Sequence, residues 1–221
     1  TMALTLYGVL RSRATRNVWL LDELGVPYEH VPVIQVYRLP DPNAPGAPMH
    51  TASPEFKRIN PNARIPALTD GDLVMNESLA INLYLAKKVG GPLGPKDVAE
   101  DGLMTMWSIW AMTECEPHSI AILYNTIGKP EPERNPEQLK AALAAIQQPL
   151  DVLDHHLAAN GGYVVGGRFT VADVNLAEVV RYAQPAKELF AARPALKAWI
   201  EACQSRPAFK AMMERRNAEP A

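Results

Sequence analysis

The feature that most constrains the fold is a change of sequence pattern around residues 89–97. Before this Gly/Pro-rich segment, "VGGPLGPKD", short β-favouring stretches alternate with helical ones. After it the chain is rich in alanine, apolar residues recur every three to four positions, and strand signals are almost lacking. The pattern predicts an α/β domain over residues 1–88, a linker over 89–97 and an all-α helical domain over 98–221.

The order of elements narrows the fold of the first domain. Strands are predicted at 3–7 and 28–34, with a helix at 13–25 between them, so the strands should pair in parallel through a right-handed crossover. A short helix at 54–61, a hairpin at 65–75 with an Asp-Gly turn, and a helix at 78–88 are predicted to follow. This order is that of a thioredoxin-like domain.

Three long helices are predicted in the second domain, with the last helices after them over residues 195–214. The first covers about 99–125 and is either continuous or bent near Pro117, and the second covers 136–159. The third begins after Thr170, where Thr170 and Asp173 have the spacing of a capping box.

Composition excludes several classes of function. The net charge is −2 and no long basic run occurs, so neither nucleic acid nor an anionic membrane is an expected partner. No apolar stretch approaches the roughly 18 to 20 residues that span a bilayer, and no signal peptide is visible, so a cytoplasmic setting is expected. Cys115 and Cys203 are predicted to be ordinary thiols, and no metal site is expected.

The segment "RIPALTDGDLVMNES" suggests a ligand site. Proline donates no backbone hydrogen bond, and a cis Ile65–Pro66 bond would turn the backbone of Ile65 outward to pair with an extended peptide. Glu77 and Ser78 open the next helix, whose unpaired N–H groups favour a carboxylate, while Glu77 suits an ammonium group. Together they predict a pocket for a small peptide-like zwitterion. Alternatively, Pro66 shapes a loop and the other two residues cap a helix.

Five segments distributed over nearly the whole chain are distinctive: "LYG" (6–8), "RSRATRNVWLLDELGVPYE" (11–29), "PEFKRINPNARIPAL" (54–68), "NESLAINLYL" (76–85) and "FTVADVNLA" (169–177). In these segments the chain resembles the cytosolic glutathione transferases. The resemblance implies a homodimeric detoxification enzyme that transfers an alkyl or aryl group to its co-substrate glutathione, with no metal. In such proteins the thioredoxin-like domain binds glutathione and the helical domain supplies the pocket for a small hydrophobic electrophile.

The resemblance also implies roles for individual residues. Ile65 would bind the cysteinyl part of glutathione through its backbone beside a cis Pro66, and Glu77 and Ser78 would hold the γ-glutamyl end. His50 and Arg64 lie near the position of the glycyl carboxylate. The electrophile pocket would be lined by three residues at helical spacing, Met106, Trp110 and Thr113; alternatively, these three are partly core residues. The proline-rich loop 35–53 is longer than usual for the family, which leaves the recognition of the glycyl carboxylate open.

Two residues are candidates for activating the thiol. Ser12 precedes the first helix, where a hydroxyl can donate to a thiolate near the positive helix end, and Tyr7 ends the first strand. Arg11, Arg13 and Arg16 would add a favourable field. Alternatively, Ser12 is a plain helix cap, Tyr7 a core residue and the arginines a solvated face. No cysteine lies there, which argues against the branches that form a mixed disulfide.

Two other functions fit the same resemblance. One is a non-catalytic binding module, like the domain attached to the gamma subunit of a translation elongation factor. The other is a glutathione-dependent reductase or peroxidase, which the missing cysteine disfavours.

Overall fold

A computed structural model describes residues 4–220. Its contacts divide the described chain into two compact units. The first consists of the residues up to Leu85 together with those from Pro207 onward, and the second is Ala86–Arg206. The predicted fold class, a thioredoxin-like α/β domain plus an all-α domain, is confirmed.

The sheet of the first unit has the order β2-β1-β3-β4 over the described residues. Its strands are β1 (Leu4–Tyr7), β2 (Tyr28–Val31), β3 (Ala67–Asp70) and β4 (Leu73–Asn76). Strand β1 pairs in parallel with β2 and antiparallel with β3, which confirms the predicted crossover and hairpin. Strand β2 ends earlier than predicted because Pro32 follows it and donates no hydrogen bond. Residue 3 of the first predicted strand lies outside the described residues.

The helices follow in chain order. They are α1 (Ala14–Leu24), α2 (Pro54–Ile59), α3 (Ser78–Val89), α4 (Val98–Trp110), α5 (Glu116–Leu123), α6 (Pro136–Ala145), α7 (Gln147–Ala159), α8 (Val171–Val180), α9 (Lys187–Ala191), α10 (Pro194–Ser205) and α11 (Pro207–Ala218). Helix α1 ends as predicted at Gly25, whose left-handed φ of 63° lets its N–H bond back to the carbonyl of Asp22.

The last helix, α11, packs within the first unit, although the predicted boundaries placed it with residues 98–221 in the helical domain. The rings of Trp19 and Phe209 meet edge to face with centroids 4.9 Å apart. At the surface, Arg215 donates to the carboxylate of Asp22 and the hydroxyl of Tyr28. Helix α11 therefore belongs by its contacts to the unit that contains α1, because its apolar face covers Trp19.

In the second unit, prolines interrupt the two longest predicted helices. A π-helical turn, Ala111–Cys115, separates α4 from α5 just before Pro117, which lacks the N–H that would bond to the carbonyl four residues earlier. The prediction of one helix over 136–159 is wrong, because α6 and α7 are separate. Pro149 likewise offers no N–H to the carbonyl of Ala145, where α6 ends.

The predicted capping box of α8 is confirmed. The Thr170 hydroxyl accepts from the N–H of Ala172, and the Asp173 carboxylate accepts from the N–H of Thr170 at 2.8 Å. Asp173 is fully buried and also accepts from the indole N–H of Trp199. Burial raises the pKa of this carboxyl, and the bonds that it accepts act in the opposite direction.

Among residues 4–220, no helix is long and apolar enough to cross a membrane. Within the same range, no group of three or more His, Cys, Asp or Glu side chains is placed to hold a metal ion. Neither Cys115 nor Cys203 forms a disulfide, and both are buried.

Candidate active site

The loop after β1 makes a close contact with the segment before β3. Gly8 has a φ of 137°, and a Cβ built on it would lie 3.1 Å from the Cβ of Ile65 and 3.3 Å from the Cβ of Ala14. A side chain here would crowd both atoms and strain the backbone, whereas glycine allows the approach without either cost. The contact brings Ile65 to the loop that carries Ser12, so two parts of the candidate site that are distant in sequence are adjacent.

The segment that leads into β3 contains the cis Ile65–Pro66 bond. The side-chain amide of Asn60 donates to the carbonyl of Arg64 at 2.7 Å, which holds the chain just before this bond. Pairing of β3 with β1 begins at Ala67, so the backbone of Ile65 lies outside the strand pairing. The side chain of Ile65 packs against the core cluster that contains Phe56 and Ala67.

The start of α3 presents one exposed and one buried side chain. Glu77 is exposed and has a φ of 69°, a left-handed conformation that is unusual for a residue other than glycine. Such conformations cost about 1 to 3 kcal/mol and cluster at ligand sites. Ser78 is only 5% exposed. The side chain of Glu77 is thus available to a ligand directly beside the positive end of the helix.

A buried polar network joins α1 to the start of α3. The guanidinium of Arg16 donates to the Ser78 hydroxyl at 3.1 Å, and the amide of Asn17 donates to the Ser78 carbonyl at 2.8 Å. Asn82 accepts from Asn17 and donates to the carbonyl of Arg16. Arg16 is fully buried, so it does not belong to a solvated helix face but places a positive charge beside Ser78.

Sequence reasoning did not identify Asn17 and Asn82. Both are fully buried on helices, α1 and α3. A buried side-chain amide must find hydrogen-bond partners, so an asparagine at a buried helical position is a signal of such a network.

The hydroxyl of Ser12 lies at the entrance of α1. It donates to the carbonyl of Val9 at 2.6 Å and accepts from the N–H of Ala14 at 3.0 Å. The side chain is half-buried, and the first turn of α1 contains no acidic residue that would cancel its positive end. The Ser12 hydroxyl therefore satisfies the N–H of Ala14 at the start of α1, and its own proton, now donated to a carbonyl, can turn to a stronger acceptor.

Tyr7, the other candidate, is part of the packing. Its half-buried ring lies against the core cluster of Val33, Phe56 and Ala67, with its centroid 6.4 Å from that of Phe56. This contact matches the alternative reading of Tyr7 as a core residue of the strand.

The two candidates for the glycyl carboxylate have different surroundings. Both ring nitrogens of His50 bond within the proline-rich loop, since Nδ1 accepts from the N–H of Ala52 and Nε2 lies 3.1 Å from the carbonyl of Pro42. The tautomer that satisfies both contacts carries its proton on Nε2. Arg64 is exposed. The guanidinium of Arg64 is therefore accessible to a carboxylate, whereas His50 stabilises the loop.

The residues predicted to contact the electrophile lie in the second unit. Met106, on α4, is 49% exposed. Trp110 ends α4 and packs edge to face on Trp107, with ring centroids 4.9 Å apart. Thr113 is exposed within the π-helical turn, where its hydroxyl donates to the carbonyl of Ile109.

Comparisons with known proteins agree with this architecture. The family model "Glutathione S-transferase, N-terminal domain" matches residues 2–87, and the model "Glutathione S-transferase, C-terminal domain" matches residues 115–207. Together they cover well over half of the chain. The chain belongs to the glutathione S-transferase family and is an enzyme of that class.

Individual relatives cover almost the full length. Glutathione S-transferase 3 of Zea mays is 35% identical over 94% of this chain and 91% of its own. The theta-class enzyme of Xanthomonas axonopodis pv. citri, solved with glutathione bound, is 28% identical with a TM-score of 0.76, over 96% of this chain and 97% of its own. Glutathione S-transferase I of maize, solved with an atrazine glutathione conjugate, is 26% identical with a TM-score of 0.81, over 99% of this chain and 100% of its own.

Proposed function

We propose that this chain conjugates the thiolate of glutathione to a small hydrophobic electrophile. The observation that carries the proposal is the contact of Gly8 with Ile65. Together with the bond from Arg16 to Ser78, it gathers a peptide-binding backbone, a helix start and a hydroxyl-bearing loop in one unit. The glutathione and the conjugate bound to similar enzymes support the same reaction.

The tripeptide is proposed to lie extended along the segment before β3. The backbone of Ile65, next to Pro66, binds its cysteinyl part, and Glu77 and Ser78 hold the γ-glutamyl end. The ammonium group suits the exposed carboxylate of Glu77, and the γ-glutamyl carboxylate suits the helix start, whose charge Arg16 reinforces. We assign the glycyl carboxylate to Arg64 in preference to His50, because the ring of His50 is already engaged within its loop.

Ser12 is proposed to stabilise the thiolate. A free thiol has a pKa near 8.5, and lowering it by about two units requires roughly 2.7 kcal/mol of preferential stabilisation of the anion. One hydrogen bond to a charged group contributes about 1.5 to 3 kcal/mol. A thiolate is a stronger acceptor than the neutral carbonyl of Val9, so the Ser12 hydroxyl rotates its proton toward sulfur when glutathione binds. The reaction then needs no covalent enzyme intermediate.

Three further features belong to the same proposal. The enzyme is of the hydroxyl-activated kind, since the loop at residues 8–13 contains no cysteine for a mixed disulfide. It acts as a cytoplasmic homodimer. The electrophile lies against Met106, Trp110 and Thr113, whose exposed or half-buried side chains leave surface for an apolar ligand.

Binding and turnover separate this function from its alternatives. We expect retention on immobilised glutathione and conjugation of a chlorinated nitrobenzene. Retention without turnover would identify a non-catalytic binding module. Reduction of a disulfide or a peroxide in place of conjugation would identify the reductase or peroxidase.

The choice of activating residue is tested with Ser12→Ala and Tyr7→Phe. The pH dependence of kcat/KM reports the pKa of the thiol that must ionise. In Ser12→Ala this pKa should rise by about one to two units, the equivalent of one lost charge-assisted hydrogen bond. Tyr7→Phe keeps the ring packing and should retain the parent pKa. The reverse pattern would transfer the role to Tyr7.

The anchoring role of Glu77 is tested with Glu77→Ala. The affinity for glutathione should fall at least tenfold, which corresponds to about 1.4 kcal/mol. The rate at saturating glutathione should change much less, because Glu77 binds the ground state and the transition state alike. Unchanged affinity in calorimetry would remove Glu77 from the site.

A further inference from the structure

The end of α11 meets the loop that carries Ser12. The carboxylate of Glu219, just beyond this helix, accepts two adjacent backbone N–H groups, that of Leu10 at 2.8 Å and that of Arg11 at 3.0 Å. Arg11 returns a bond from its side-chain Nε to the carbonyl of Glu219 at 3.1 Å. These three bonds join chain positions about two hundred residues apart within the first unit.

These bonds complete the hydrogen bonding of the loop backbone. The N–H groups of Gly8 and Val9 donate to carbonyls at the end of β2 and beyond it. The next two N–H groups, those of Leu10 and Arg11, donate to Glu219. Leu10 is only 3% exposed, so without the carboxylate its N–H would lie in a largely buried setting with no acceptor.

A second set of contacts holds the other side of the loop. Gln35 donates from its side-chain amide to the carbonyl of Arg11 at 3.1 Å. Arg38 donates to the side-chain oxygen of Gln35 and to the carbonyl of Pro220. Arg11 and Arg38 thus place positive charge beside the chain end that carries Glu219. Arg11, the residue before Ser12, is held at both its N–H and its carbonyl.

We propose that Glu219 is a positioning residue for thiol activation, because its carboxylate fixes the two peptide groups that set the place and direction of the Ser12 hydroxyl. The proposal rests on the assignment of Ser12 under "Proposed function". The acceptor that holds the hydroxyl without ligand is the carbonyl of Val9, whose peptide bond contains the N–H of Leu10. Glu219 therefore holds the very peptide unit to which Ser12 bonds.

If Glu219 acts by positioning, its replacement should shift the pKa of the glutathione thiol in one direction; if it acts only through its charge, the shift should be in the other. A carboxylate near the site repels a thiolate, so removal of its charge alone would lower the pKa of bound glutathione. Loss of positioning displaces the donor at Ser12 and raises that pKa. The direction of the change therefore identifies the role.

The experiment compares Glu219→Gln with Glu214→Gln in the full chain. Glutamine keeps the size of Glu219 but offers one acceptor oxygen, so one of the two N–H groups loses its partner. Glu214 is exposed on α11, the helix that Glu219 follows, and its replacement makes the same change of charge. The pKa of bound glutathione is read from the ultraviolet absorbance of its thiolate.

We expect the pKa of bound glutathione to rise by about one unit in Glu219→Gln. At pH values below the pKa of both the parent and the variant, kcat/KM should fall about tenfold. Glu214→Gln should leave both unchanged. Glu219→Asp retains the carboxylate and should restore part of the shift. In the Ser12→Ala background, the change at Glu219 should add nothing, because the donor that it positions is already gone.

Each failure has its own signature. If Ser12→Ala keeps the parent pKa, the assignment of Ser12 is wrong whatever Glu219 does. If Ser12→Ala raises the pKa but Glu219→Gln leaves it unchanged or lowers it, the positioning role is overturned, including when only the thermal stability falls. If Glu219→Gln does not fold, the test uses Glu219→Asp. If the pKa of glutathione bound to this variant and the hydrogen exchange at residues 8–13 both equal those of the parent, the proposal is overturned.

Discussion

Replacement of Gly8 by alanine tests the contact that assembles the candidate site. The new methyl group would lie 3.1 Å from the Cβ of Ile65 and 3.3 Å from that of Ala14. These are atoms next to the backbone, not the ends of flexible side chains, so relief requires movement of the main chain. The φ of 137° adds strain for any residue with a side chain.

The loss of stability expected for Gly8→Ala follows from the backbone strain and the crowding. The backbone conformation costs about 1 to 3 kcal/mol in a residue other than glycine. Overpacking by one methyl group costs about 1 to 3 kcal/mol. Gly8→Ala should therefore lose about 2 to 6 kcal/mol of unfolding free energy, a large share of the roughly 5 to 15 kcal/mol of a typical domain. It should also weaken glutathione binding, because the backbone of Ile65 must shift.

Urea denaturation measures the first effect and calorimetry with glutathione the second. Gly102→Ala is the matched control, since Gly102 lies inside α4 and a Cβ there would meet no atom within 4 Å. It should gain about 0.5 to 1 kcal/mol, because alanine is the better helix former. A Gly8→Ala protein with parental stability and affinity would refute the argument that this contact shapes the site.

Two further predictions concern the second unit. Arg168 donates to both oxygens of Glu100, and this bond lowers the pKa of the Glu100 carboxyl from 4.5 to about 2. The folded pKa lies below the unfolded one, so this stabilisation is present above pH 4.5 and is lost as the pH falls toward 2. Glu100→Gln should abolish about 1 to 2 kcal/mol of this acid dependence in denaturation curves recorded against pH, after allowance for solvent screening; a parental slope would contradict it. Burial raises the pKa of the Cys115 thiol to about 12, so a thiol reagent should label it only at the rate of unfolding, and rapid labelling of the native protein would disprove this.

Much of the fold was predictable because its signals are local. Periodicity, turn residues and caps act over a few residues, and they located α1, the β3–β4 hairpin and the capping box of α8. The missed break between α6 and α7 also had a local signal in Pro149. The helical pattern on both sides of that proline obscured it.

Some residues of the candidate site were likewise predictable from local motifs, and others were not. Ile65, Pro66, Glu77 and Ser78 form short motifs whose chemistry is readable without coordinates, and their roles stay proposals until the variants are measured. The contacts of the two half-buried side chains distinguish Ser12 from Tyr7, which no linear pattern could do. The Ser12 hydroxyl accepts from the N–H of Ala14 at the edge of a loop, while the phenol ring of Tyr7 packs on Phe56.

The sequence by itself determined the order of elements, the two-part architecture and the short motifs of the candidate site. Only the tertiary structure decided that Arg16 lies beneath Ser78, 62 residues away, and that Glu219 holds the peptide groups of Leu10 and Arg11 across more than two hundred. The physical reason is that a motif depends on chain geometry over a few residues. A hydrogen bond between distant positions depends on which faces pack together, and that choice is made by the burial of the whole apolar surface.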